Sequence, residues 1–365
     1  MKRLIAVMLL LCLVFTGCGS EEEILPPETT QTVPTTEATT EATTEPTTEP
    51  IEPPVLYRNP LTGQPLDAPM TNRPVAVVIN NIYDAQPLHG VGQADVLFEI
   101  VAEGGGPITR MLAVYTDVSA VPKIGSIRSA RTYLLELAQS FNAFFVHAGG
   151  SEYAYKELRS GGYDHLDGRV EGGFYRDKAR QSSGYALEHT LFSDGERILK
   201  QVEKKGLSLI NEEETNYGFQ FADENVLQGE SATHIELRFT SKNGKGTFFD
   251  YDESTGLYNT TQYFYNTHKK ELLDANDAEA VTFQNVIVLF AKTTTDSKAY
   301  RMFAELIGEG TGYYACGGQI IPITWKRGAE NEPFAYFMTD GTPVTLGVGA
   351  TYIGVLATES PVTYE

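Results

Sequence analysis

Cysteine is scarce in this chain of 365 residues: there are 3, too few for a disulfide framework. Basic residues are also few, 28 Lys plus Arg against 48 Asp plus Glu, for a net charge of −20. That balance argues against nucleic acid as a partner, because binding it needs Lys and Arg to displace counterions from phosphates. A local basic pocket is still compatible with it. The 6 histidines include no pair at His-x-x-x-His spacing, so no zinc motif is written locally. Neither G-x-G-x-x-G nor a P-loop occurs, and no serine sits in G-x-S-x-G. What is present is ample apolar material, 41% hydrophobic and 11% aromatic, which excludes a chain disordered throughout. The length suggests roughly two domains.

The N-terminal apolar stretch, Leu4 to Phe15 behind Lys2 and Arg3, is too short for a comfortable membrane span and has the form of a signal peptide. It ends in Phe15-Thr16-Gly17-Cys18, which resembles the bacterial lipobox, whose cysteine receives a diacylglyceryl group. Lipoboxes usually carry Leu where Phe15 stands. An ordinary secretory signal or a short anchor helix is the plainer alternative. On the lipobox reading, residues 1–17 are removed together with Cys12, Cys18 carries the lipid, and Cys316 is the remaining thiol, with no cysteine left to form a disulfide with. The lipid bilayer is then a partner through acylated Cys18.

Residues 18–55 form the lipidated cysteine and a tether. Gly19 to Pro54 holds nine glutamates and no Lys, Arg or Asp, and the unit Thr-Thr-Glu-Ala/Pro repeats four times from Thr35 to Pro50. Such a segment buries no core; it reaches roughly 35 Å as a coil and about 110 Å as polyproline II. It lifts a head off the membrane, with or without glycosylation, or serves as a neutral spacer.

The head reads as α+β: an N-terminal α/β-like layered domain with a mixed sheet, 56–220, then a mostly β domain, 221–365. Val75 to Ile79, Asp95 to Val101, Arg110 to Tyr115 and Ala143 to His147 are apolar runs expected as strands. Apolar spacing predicts a helix from Ser126 to Phe141. Ser151 is placed to cap a helix through Leu158, and Ser193-Asp194-Gly195-Glu196 has the capping-box form. From His234 onward, alternating runs including Val286 to Phe290, Arg301 to Ile307, Gln319 to Trp325, Pro343 to Leu346 and Thr351 to Leu356 predict strands, in a sandwich or barrel.

Several phrases carry a family resemblance: Arg73-Pro74-Val75-Ala76-Val77 leading to Asn80-Asn81, Gly92-Gln93-Ala94-Asp95-Val96, Glu103-Gly104-Gly105, Ile124-Gly125-Ser126-Ile127-Arg128-Ser129-Ala130-Arg131, His147-Ala148-Gly149-Gly150-Ser151 and Thr324-Trp325-Lys326-Arg327. With these the head, from about residue 58 to 358, resembles the YerB-type lipoproteins of Gram-positive bacteria. The resemblance implies a two-domain lipoprotein on the outer face of the cell membrane and carries over no activity. Where the family often has Pro-His-Asn, this chain has Glu188-His189-Thr190.

The densest chemical candidate is Arg128 with Arg131, three residues apart on the predicted helix. Near a helix N-terminus they suit a phosphate or carboxylate, although they oppose the macrodipole. The structural alternative pairs each with an internal carboxylate such as Glu99 or Glu103. Arg110 and Arg176 are further candidates for the same anion. Gly149, Gly150 and Ser151 leave a strand and offer backbone N–H groups, with helix capping the plainer role for Ser151. His147 and His189 are acid/base candidates, with a hydrogen-bonded core residue the plainer role for His147. Asp95, Glu99 and Glu103, four apart, fall on one face of a strand and are candidates for acid/base work or for holding Mg²⁺ or Ca²⁺, or are simply solvated or paired with arginine. No cofactor is otherwise indicated.

Two functions follow. One is a module that binds an anionic cell-envelope ligand or partner protein. The other is an envelope enzyme of phosphotransferase or hydrolase type, acting on a phosphate-linked glycopolymer or lipid carrier. Element order around Ala94-Asp95 and Ser126-Ile127-Arg128-Ser129 is similar to that of LytR-CpsA-Psr phosphotransferases, except that their Arg-Asp pair is Arg-Ser here. A lipid-width apolar tunnel beside Arg128 and Arg131 favours the enzyme, and a polar groove favours the binding module.

Overall fold

Val75–Asn81 form a strand in which every residue is buried, as suits the apolar run Val75 to Ile79 when a sheet is covered on both faces. The computed structural model describes residues 57–365 apart from 104–107, 212–214, 223–226, 241–243, 266 and 297–300. The expected signal peptide, Cys18 and the expected tether lie outside the described residues. Residues 54–365 make up one compact unit.

Its frame is an eleven-stranded mixed sheet. From one edge the strands run Glu230–Ser231, Gln319–Arg327, Gly308–Cys316, Asn285–Ala291, Thr351–Ala357, Val96–Val101, Thr109–Tyr115, Val75–Asn81, Phe144–His147 and His165–Asp167, with Ala335–Met338 beside Gln319–Arg327. Thr351–Ala357 is parallel both to Asn285–Ala291 and to Val96–Val101. One sheet therefore runs through both halves of the head. A second, six-stranded sheet is built mainly from His234–Arg238, Gly246–Asp252, Leu257–Phe264 and the chain end Val362–Tyr364.

Side chains alternate across the main sheet and give two cores. On one face Ala76, Val78, Phe98 and Leu112 meet Tyr133, Leu134 and Leu158 from the helices Thr132–Gln139 and Glu152–Gly161. On the other, Val77, Ile79, Leu97 and Ala113 meet Ile198 and Val202 of the helix Gly195–Lys204, with Ile235, Leu237 and Phe249 of the second sheet. The architecture is α+β, its C-terminal half mostly strand.

Five expectations change. The helix predicted from Ser126 is confined to Thr132–Gln139, because Ser126 to Ala130 is held extended between strands. Ser193 belongs to a short strand, and the Asp194 carboxylate caps the helix Gly195–Lys204 by accepting from Arg197 N at 2.9 Å. Pro343 and Leu346 make isolated bridges in place of a strand, and the strand at Arg301 stops at Ala304. The C-terminal half closes no barrel of its own, since its longest strands extend the shared sheet. Ser151 caps its helix as expected, accepting from Ala154 N at 3.1 Å.

Candidate functional site

Asn80 and Arg110 are direct partners across two neighbouring strands. The segment Ser126–Arg131 crosses this end of the sheet: Asn80 N donates to Ser126 O, Arg128 N to Val78 O and Ala130 N to Gly149 O. Gly125 starts that crossing at φ 137°, where a Cβ would lie 2.9 Å from Ile127 N and 3.0 Å from Leu191 O. A side chain there is excluded by space and by backbone conformation alike. The crossing sets Arg128 and Arg131 beside Arg110, whose pKa both of them lower.

The three guanidiniums are unevenly neutralised. Arg131 pairs with Glu103, which Arg301 shares at 3.2 Å. Arg128 reaches Glu188 at 3.6 Å, and Glu188 is half exposed. Arg110, 3% exposed, makes no ion pair among the described residues; it donates to Thr109 O at 3.2 Å and to Asn80 Oδ1 at 3.4 Å. Nε of each of the three arginines is buried without a hydrogen-bond partner among the described residues. Burial, and then the neighbouring charges of Arg128 and Arg131, bring Arg110 down to about 9. Burial likewise lowers Arg128. Unpaired buried donors of one charge are costly, and an anion placed among them would relieve that cost.

Asn80 links this cluster to His189. Its Oδ1 faces Arg110, so its amide nitrogen, 2.9 Å from His189 Nδ1, is the donor of that contact. Nδ1 then accepts, and the ring proton sits on Nε2, 3.6 Å from Glu188 Oε1. Burial lowers the pKa of His189, so the ring is neutral at physiological pH. His189 also lines a pocket of about 550 Å³, together with Tyr83, Asp84, Gln86, Tyr185 and Lys270. Arg180 holds two pocket walls together: it donates to Ala85 O and Pro87 O on one side and to His189 O on the other.

Other sequence candidates lie apart from this cluster. Asp95 accepts from Thr116 N and Oγ1 at 2.6 and 2.7 Å. Glu99 is wholly buried against Lys245. Only Glu103 of that ladder reaches the arginines, since four residues of strand separate successive members by about 13 Å. Among the described residues no His, Cys, Asp and Glu side chains are grouped to hold a metal ion. His147, fully buried, donates from Nδ1 to Gly149 O at 2.8 Å, and burial lowers its pKa. The Gly149 N–H is taken by Asp167 Oδ1 at 2.7 Å and that of Ser151 by Ala130 O, so neither is free for a ligand. Gly150 bridges to Ala130. Arg176 donates to Leu187 O and props the turn that carries Glu188 and His189.

Two family models match the chain, residues 61–208 to "Protein of unknown function (DUF3048) N-terminal domain" and residues 235–353 to the corresponding C-terminal domain. The chain is 30% identical over 271 residues to "Putative lipoprotein YerB" of Bacillus subtilis (strain 168), which covers 73% of this chain and 77% of that protein. The chain belongs to the YerB-type lipoprotein family. The crystal structure of YerB from Bacillus subtilis superposes with a TM-score of 0.71 at 27% identity, covering 84% of this chain and 99% of that one.

The arginine cluster lies within the segment matched to the family's N-terminal domain, while the pocket takes Lys270 from the C-terminal one. Sequence reasoning missed Asn80, Tyr83, Tyr185 and Lys270 as site residues. Asn80 was visible as part of a family phrase. The others carry no motif and meet only through the fold.

Proposed function

We propose that this lipoprotein is exported, is held on the outer face of the cell membrane by acylated Cys18, and binds an anionic envelope ligand between Arg110, Arg128 and Arg131. The observation that carries the reading is the cluster itself, in which, among the described residues, each guanidinium keeps a buried Nε without a partner and Arg110 has no carboxylate. Arg131 and Arg128 have carboxylate partners in Glu103 and Glu188, which leaves Arg110 as the charge that a bound anion would pair. The enzyme alternative called for an apolar tunnel of lipid width. The pocket reached through His189 is walled largely by polar tips, which favours binding over chemistry on a lipid carrier. No cofactor enters the proposal.

The test is thermal unfolding of the full chain with increasing inorganic phosphate. An anion bound to the folded state raises the melting temperature by mass action. Arg128 is the informative variant, because its one ion pair is long and half exposed. Arg128→Gln is expected to leave the ligand-free melting temperature nearly unchanged and to remove most of the phosphate-dependent rise. A wild-type melting temperature indifferent to phosphate, sulfate and carboxylates would overturn the reading.

A further inference from the structure

We propose that the 550 Å³ pocket beside His189 is a second subsite, which takes the uncharged ring of a saccharide whose anionic group the arginines hold. The inference rests on the anion-binding reading and names the class of ligand: an anionic sugar. Its first support is the shared wall. His189 is tied on its Nδ1 side to Asn80, which also accepts from Arg110, and on its other side it lines the pocket. Glu188 bridges the same two places, with one carboxylate oxygen 3.6 Å from Arg128 and the other 3.6 Å from His189.

The second support is the chemistry of the lining. Asp84 and Lys270 offset each other in charge, in contrast to the arginine cluster, so the pocket suits a neutral body and not a second anion. Gln86 and Ser183 supply both donors and acceptors, and the neutral His189 supplies Nε2–H as a donor. Ligand hydroxyl groups match such a mixture. An acyl chain does not, since Ala186 is the sole aliphatic side chain in the lining. Tyr83 adds a ring face: it is 39% exposed and is held in place by His268 at 4.6 Å and Phe264 at 5.8 Å. Fixed aromatic faces of this kind give apolar contact to a partner whose edges remain polar. The volume is ordinary for a small-molecule site.

Calorimetric titration of the full chain with four probes tests this: inorganic phosphate, glucose 1-phosphate, glucuronate and glucose. At least one of the two anionic sugars is expected to bind about ten-fold more tightly than phosphate, a separation easily read in the dissociation constant. Glucose alone is expected to bind more weakly than either. Tyr83→Ala and Lys270→Gln, both at exposed positions, are expected to bring the anionic sugars down to the affinity of phosphate and to leave phosphate itself unchanged. Phosphate binding with no gain from the sugar, and no effect of Tyr83→Ala, would overturn the subsite while leaving the anion site standing. Failure of phosphate and both anionic sugars to bind would overturn both readings.

Discussion

Glu99 Oε1 and Lys245 Nζ lie 3.1 Å apart, and neither side chain is exposed at all. Glu99 belongs to a strand of the shared sheet, and Lys245 leads into the second sheet. The carboxylate also accepts from Asn81, Thr109, Thr247 and Tyr352, at 2.6 to 2.8 Å. Every charge-bearing atom of Glu99 is thereby engaged, which is the condition under which a buried ion pair is tolerated. The pair fastens the two halves of the head; Arg110, by contrast, makes no ion pair among the described residues.

Removing one member leaves the other charge buried alone. Lys245→Met is expected to lower the unfolding free energy by about 3–5 kcal/mol, measured by urea denaturation. The double variant with Glu99→Gln is expected to lose less than the sum of the two single losses. Strict additivity would mean that the pair is not coupled.

Glu188 offers a contrast, because its carboxylate is half exposed and its contacts to Arg128 and His189 are both long, at 3.6 Å. It stands where an incoming anion meets Arg128. Glu188→Gln is therefore expected to tighten phosphate binding roughly three- to five-fold, with little effect on folding, as befits a weak surface pair. Weakened binding in a titration would place Glu188 on the side of the ligand instead.

Acid sensitivity has an identifiable source in His89. Burial, reinforced by Lys123 and Arg180, lowers its imidazole from 6.5 to about 4. Below the unfolded value the unfolded chain binds the proton more readily, so stability is complete above pH 6.5 and declines as the pH falls toward 4. Burial shifts His147 and His189 in the same direction. The urea midpoint is expected to fall across this window, and His89→Asn is expected to make the fall shallower. An unchanged slope in that variant would assign the effect to other groups.

Anchoring is tested separately, since Cys18 lies outside the described residues. Cys18→Ala is expected to move the protein from washed membranes to the soluble fraction, followed by immunoblot. Retention in the membranes would contradict lipidation at this cysteine.

The strands at Val75, Val96, Thr109 and Phe144 were legible because each is an apolar run buried on both faces. The segment Ser126–Arg131 was not. Its apolar spacing fits a helix, yet backbone hydrogen bonds to Val78, Gly149 and Leu191 hold it extended, and tertiary pairing outweighs local periodicity. Arg128 and Arg131 are brought beside Arg110 by that crossing and not by a helical turn. The insertion of Thr351–Ala357 beside Val96–Val101 was equally hidden, because nothing local in a strand states which distant partner it will take. Lys245 left no signal for the same reason: a lone lysine before a strand reads as solvated until its buried partner is known.

The most direct test of the central claim watches the arginines themselves. In the nuclear magnetic resonance spectrum of the full chain, the Nε–H signals of Arg110, Arg128 and Arg131 are assigned by single Arg→Lys substitutions and followed while inorganic phosphate is added. All three Nε–H groups lack a partner among the described residues, and a bound oxyanion supplies the acceptor. The account predicts saturable shifts of these signals on one common binding curve, while the signal of Arg327, buried beneath the helix Thr132–Gln139, stays still. Phosphate that saturates without moving any of the three, or moves Arg327 as much, would contradict it.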